Sequence, residues 1–136
     1  MTYAIAAALQ KAVFERLQAD TTVTGLVGSA IYDAIPPGIV GGTYVSLGPE
    51  DVRDAADDTG YGAWHEITVS VVTDEAGFNG AKQVATAVSD ALVDAPLTLD
   101  RGALVALNFY RARARRVQDA DVRRIDLRFR ARVQDG

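Results

Sequence analysis

The 136-residue chain contains no cysteine and only one histidine. Without cysteine there are no disulfides, thiolate metal sites or cysteine nucleophiles, and the redox compartment is left open. A lone imidazole cannot build a histidine metal cluster, and no H-x-x-x-H or D-x-D-x-D-G spacing offers a substitute. His65 falls on the apolar parity of its segment, which fits a hydrogen-bonded structural imidazole better than a ligand or base. Serine chemistry lacks support too, because neither Ser46 nor Ser70 sits in a G-x-S-x-G turn. Gly41-Gly42 and Gly60-Tyr61-Gly62 read as turns, since no capped helix or Lys-Ser/Thr pair follows them to cradle a phosphate. Long apolar runs are absent as well. The opening MTYAIAAALQKAVFERLQAD is interrupted by Lys11, Glu15 and Arg16, so it reads as neither a signal peptide nor a membrane span. The expectation is a protein without enzymatic activity, cofactor or metal.

The charge is unevenly distributed. The net value is −4, yet residues 1–100 hold four basic side chains (Lys11, Arg16, Arg53, Lys82) against fourteen acidic ones. Residues 101–136 hold ten arginines against Asp119, Asp121, Asp126 and Asp135. Such asymmetry suits nucleic-acid contact, and it equally suits a self-assembling subunit whose acidic surface meets a neighbour's basic one.

A chain of this length fits one domain, residues 1–136, and folding buries about 68% of the surface that the unfolded chain exposes. From Thr2 as N-cap, Ile5, Leu9, Ala12, Val13 and Leu17 recur at helical spacing. Asp20 and TTVTGLVG predict one further turn, which Gly25 and Gly28 weaken and stop. A brief strand follows at Ala30 to Tyr32, then an irregular loop in IPPGIVGG, then a strand at Thr43 to Leu47. The segment PEDVRDAADDTGYG has neither apolar period and predicts a long exposed loop. Ala63 to Thr73 alternates, with His65, Ile67, Val69 and Val71 on one side and Trp64, Glu66, Thr68 and Ser70 on the other. Glu75 to Val93 returns to helical spacing through Phe78, Ala81, Val84, Ala85, Val88 and Leu92. Two long strands, Leu104 to Val117 and Val122 to Val133, flank a turn at Gln118 to Asp121. The predicted class is α+β: a mainly antiparallel sheet with a long C-terminal hairpin, packed on one face by two α-helices.

Two groups of side chains stand out on that frame. Glu50, Asp51, Asp54, Asp57 and Asp58, with Arg53 and Tyr61, form an acidic loop that reads as a solvated segment in preference to a cation or acid-base site. Arg111, Arg113 and Arg115 alternate on one strand, and Arg124, Arg128, Arg130 and Arg132 alternate on its partner. Pairing gathers them on the sheet face away from the helices. Like charges opposite one another destabilise a sheet, so carboxylates from another segment or subunit are expected nearby. A solubilising surface, a subunit interface and a phosphate contact all remain open readings. Only Phe109 and Tyr110 interleave with the arginines, which disfavours a base-stacking platform.

The chain resembles phage and gene-transfer-agent tail completion proteins, also described as tail terminator or tail-to-head joining proteins. The similar stretches are ALQKAVFERLQAD with TGLVG, IYDAIPPG, TYVSLG, WHEITVSVVTDEAGFNGAKQVATAVSDAL and RRIDLRFRARVQ, in an order and spacing that run almost end to end. The resemblance implies a structural subunit of a ring, usually hexameric, that caps the tail tube and joins it to the head connector. It implies self-association, the major tail tube protein and a head-completion or stopper protein as partners, and DNA passing through the channel without sequence-specific binding. No membrane is implied. The location implied is the head-proximal end of the tail, after synthesis in the bacterial cytoplasm. The neighbouring head-completion or stopper role is the alternative within virions. A small nucleic-acid-binding module is the alternative from another class, against which the sequence pI of about 4.9 speaks. Within this reading, the segment Glu50 to Tyr61 is expected to project towards a neighbouring ring or subunit, and the arginine face to meet acidic surface of an adjacent copy.

Overall fold

The computed structural model describes residues 3–35, 41–55, 62–117 and 121–135. Its elements in chain order are α1 (Ala6–Ala19), α2 (Thr21–Val27), β1 (Ile31–Tyr32), β2 (Thr43–Asp54), β3 (Gly62–Thr73), α3 (Asn79–Leu92), β4 (Ala103–Val117) and β5 (Val122–Gln134). One five-stranded sheet has the order β1-β2-β3-β5-β4. Every pairing is antiparallel except the short parallel contact of β1 with β2. The predicted α+β class and mainly antiparallel sheet are therefore as observed.

The apolar period of each element explains its packing. Ile5, Leu9, Val13 and Leu17 recur at three- and four-residue steps and are buried. Along α3 the buried stripe is Ala81, Val84, Ala85, Val88 and Leu92, widened by Ala87 and Ala91. Small residues dominate that stripe, so α3 lies close against the sheet. On the sheet, Val69 and Val71 of β3 and Ile125, Leu127, Phe129, Ala131 and Val133 of β5 complete the core. Burying a single Leu, Val or Phe side chain of this kind is worth about 1.5–3 kcal/mol.

Among the described residues three helices are present where two were expected to cover the sheet. The extra turn after Asp20 is a seven-residue helix, because the Asp20 carboxylate accepts from the Thr22 and Val23 amides at 3.0 and 2.9 Å. This N-cap outweighs the cost of Gly25 within so short a helix. The expected N-cap Thr2 lies outside the described residues, and α1 begins at Ala6 without a side-chain cap. Residues 75–78 bend before α3 starts at Asn79, later than the apolar spacing alone predicts.

The largest departure is at β2. Residues 50–54 do not form a loop: the strand runs twelve residues to Asp54, paired with β3 as far as Asp54 opposite Ala63. A bulge between Leu47 and Glu50 breaks the ladder register. It inverts the parity of everything that follows, so no continuous alternation marks the strand in the sequence.

Gly102, just before β4, has φ +71, and a Cβ there would lie 2.5 Å from both the Gln134 carbonyl oxygen and Ile5 Cδ1. Both neighbours are fixed, one as backbone and the other as a buried side chain. Gly102→Ala is expected to cost about 1–3 kcal/mol of stability, read as a lowered urea midpoint. A midpoint equal to wild type would contradict this packing.

Candidate assembly surface

The ladder register fixes which side chains share the sheet face away from the helices. Directly opposed residues lie on one face, so each set of cross-strand partners forms a row. One row joins Arg115 with Arg124, the next Arg113 with Asp126 and Ser70, and the next Arg111 with Arg128 and Thr68. The fourth joins Arg130 with Glu66 and Asp51, and the fifth joins Arg132 with Trp64 and Arg53. The seven arginines expected to converge therefore do so, and Arg53 and Asp51 join them.

Glu50 and Asp54 do not. Beyond the bulge Glu50 opposes Ile67 and Asp54 opposes Ala63, on the helix-facing side. There the Tyr3 hydroxyl donates to the Glu50 carboxylate. The expectation of a projecting acidic loop is thus corrected for residues 50–54, which are held in the sheet. Asp57, Asp58 and Tyr61 lie outside the described residues.

Carboxylates and rings hold part of the arginine face in place. Arg124 Nε donates to Asp126 Oδ1 at 2.8 Å and Arg124 Nη2 to Ser70 Oγ at 3.1 Å, while Ser70 Oγ donates to the same Asp126 oxygen at 2.6 Å. Burial pushes the Asp126 carboxyl up. The hydrogen bonds from Ser70 and Arg124 and the charges of Arg124 and Arg115 outweigh that and hold it below the usual carboxylate range. Arg128 Nη1 reaches Glu66 at 3.3 Å. Arg130 stacks 3.7 Å from the Tyr110 ring centroid, and Arg132 lies 5.7 Å from that of Trp64. Arg132 also presses on Gly62, where an added Cβ would come within 2.1 Å of Nη1. That nitrogen is buried without a hydrogen-bond partner among the described residues.

Arg111, Arg113, Arg115 and Arg128 surround a cleft of about 330 Å³, lined also by Ala112 and Asp126. One carboxylate faces four cations. Neither Arg111 nor Arg113 has an ion-pair partner among the described residues. The described residues that line the open cleft include no acid-base pair or nucleophile, and their four guanidiniums offer contact for negative charge. Among the described residues no group of three or more His, Cys, Asp or Glu side chains is placed to hold a metal.

Sequence reasoning missed the partners of the arginines. Ser70, Glu66 and Trp64 are visible as the polar parity of β3, but only the register shows that they meet β5. It also missed the surface of β4, where Val105, Phe109 and Tyr110 are 59, 48 and 40% exposed. Past α3, Phe109, Ala112 and Ala114 line an open apolar groove of about 380 Å³ with Ala85, Ile125 and Leu127.

His65 behaves only partly as expected. It is fully buried on the apolar face, but neither ring nitrogen has a hydrogen-bond partner among the described residues. The Glu50 carboxylate stands 4.0 Å from Nδ1. Burial lowers the histidine pKa from 6.5, and the nearby Glu50 charge only partly offsets this. The unfolded chain therefore binds a proton that the folded chain resists, so stability is full above about pH 6.5 and falls as the pH drops below it. Asp126 adds a second loss at lower pH, because its depressed folded pKa makes stability fall as the pH drops through that value. Urea unfolding at stepped pH is expected to show both limbs, and His65→Leu is expected to flatten the first while leaving the second.

A family model described as "Tail completion protein gp17" matches residues 11–134. A chain of the solved "Virion of native gene transfer agent (GTA) particle" is 63% identical, with a TM-score of 0.92, over 98% of this chain and 99% of that one. No curated protein matches.

Proposed function

The chain belongs to the tail completion protein gp17 family of virion structural proteins, and we propose that it works as one copy of a hexameric ring that terminates the tail tube and joins it to the head connector. It is a tail completion protein of a phage or gene-transfer-agent virion, homologous over nearly its full length to a component of such a particle. Among the described residues no helix is long and apolar enough to cross a membrane.

The reading is supported by the 63% identity to a virion chain over 98% of this one, together with the excess of arginine on one sheet face, a surface suited to contact with a neighbour. An excess of arginine on one sheet face persists most easily where anionic surface covers it. In a closed ring every copy offers both the basic face and its mate, so self-association satisfies the charge without a second gene product. The tail tube protein on one side and the head-completion or stopper protein on the other complete the set of partners. DNA would cross the channel without sequence-specific contacts.

Light scattering of the purified chain, followed by negative-stain imaging, tests this directly. The expected result is a ring of about six monomer masses. Raising the salt from about 0.1 M to about 1 M shortens the screening length from about 10 Å to about 3 Å, and is expected to shift the population towards monomer. A monomer at every concentration, absent from assembled particles, would exclude the reading.

A further inference from the structure

The sheet ends in two open edges of opposite charge. At one end, the β4 edge is covered at Leu107, whose carbonyl accepts from the Asp94 amide at 2.9 Å. From Asn108 to Arg116 it is exposed on both faces and has no outer partner strand among the described residues. This stretch reads NFYRARARR, with Arg111, Arg113, Arg115 and Arg116 and with small alanines between them. It also holds Phe109 and Tyr110, two of the chain's exposed large apolar side chains.

At the other end, β1 pairs with β2 only at Val45 and Ser46. Residues 47–54 of β2 therefore form an open edge among the described residues. That edge carries Glu50, Asp51 and Asp54 against Arg53.

An unpaired strand edge is a template for another strand, and charge decides which strand it accepts. Two β4 edges brought together would set arginines against arginines, which rules out a symmetric pairing of like edges. The acidic β2 edge offers the opposite sign, and both edges occur on every copy. The exposed Phe109 and the apolar groove beside α3 add contact area that a neighbour's strand would cover.

We propose that the β4 edge, Asn108–Arg116, is the docking site for the acidic β2 edge, residues 47–54, of a second copy of this chain. The contact is heterologous: one edge gives and the other receives, so it repeats from copy to copy and closes when the rotation allows. The bulge and Pro49 shorten the stretch of β2 that can pair, leaving Glu50 to Asp54 as the mating segment. This rests on the ring reading above, and names the surfaces through which the ring forms.

Reciprocal charge reversal tests it. Arg111→Glu, Arg113→Glu and Arg115→Glu together make both edges acidic, and Asp51→Arg with Asp54→Arg makes both edges basic. All five positions are exposed, and circular dichroism checks that each variant is folded. Each variant alone is expected to lose the ring and run at monomer mass in light scattering. An equal mixture is expected to restore it, because every joint then pairs opposite signs. Rings from either variant alone would assign the edge to another occupant, such as the tube protein or DNA, and overturn the proposal, as would a mixture that stays monomeric.

A cysteine pair separates this failure from failure of the ring reading. Arg113→Cys with Asp51→Cys, in a chain that otherwise lacks cysteine, is expected to give a ladder of covalent multimers when assembled particles are oxidised. Intact rings without that ladder would overturn the edge joint alone. Particles that contain no ring of this chain would overturn both.

Discussion

Strand β5 stands between β3 and β4 and pairs with both along almost its whole length, so its alternation is imposed on the entire sheet. Ile125, Leu127, Phe129, Ala131 and Val133 turn to the helices, and Arg124, Arg128, Arg130 and Arg132 turn away from them. A slip of one residue would drive four guanidiniums into the core, each with a large desolvation cost. The register is therefore set by exclusion as much as by attraction. The helices pack where they do because one face is apolar, and the basic surface exists because the other face is what remains.

That surface shows how charge is managed within one chain before any partner arrives. Asp126 sits among the arginines of its own strand and of β4 and is shared by Arg124 and Ser70. Glu66 reaches across from β3, and Tyr110 and Trp64 offer ring faces to Arg130 and Arg132. Planar guanidinium groups suit such stacking, which lysine would serve less well. The compensation thins towards the β4 edge, where Arg111 and Arg113 line the cleft without ion-pair partners among the described residues. Positive charge is thus greatest at the edge where the sheet is also open.

Much of this was legible in the sequence because β3, β5, α1 and α3 each carry a clean period, of two residues or of three to four. The convergence of the seven arginines follows from a hairpin and strict alternation alone. The tail completion resemblance agreed with that reading and was supported by the family match. What was not legible has a common cause: it depends on contacts between segments distant in sequence. The pairing of β2 with β3 turned an apparent acidic loop into strand, and the bulge after Leu47 hid the alternation that would have marked it. That the His65 nitrogens lack hydrogen-bond partners among the described residues could not be read from the parity that correctly placed it inside. The extra helix needed only the Asp20 cap, a signal present in the sequence whose hydrogen bonds outweigh the cost of Gly25.

The bulge has one more consequence, for how the chain can vary in length. It seats one surplus residue between Leu47 and Glu50, so a homologue shorter by one residue there would gain a regular ladder and keep every later side chain of β2 on its present face. The same deletion at Val52 would rotate Arg53 and Asp54 to opposite sides of the sheet. Gly48 and Pro49 thus mark the point where β2 tolerates a change of length without exchanging its two faces.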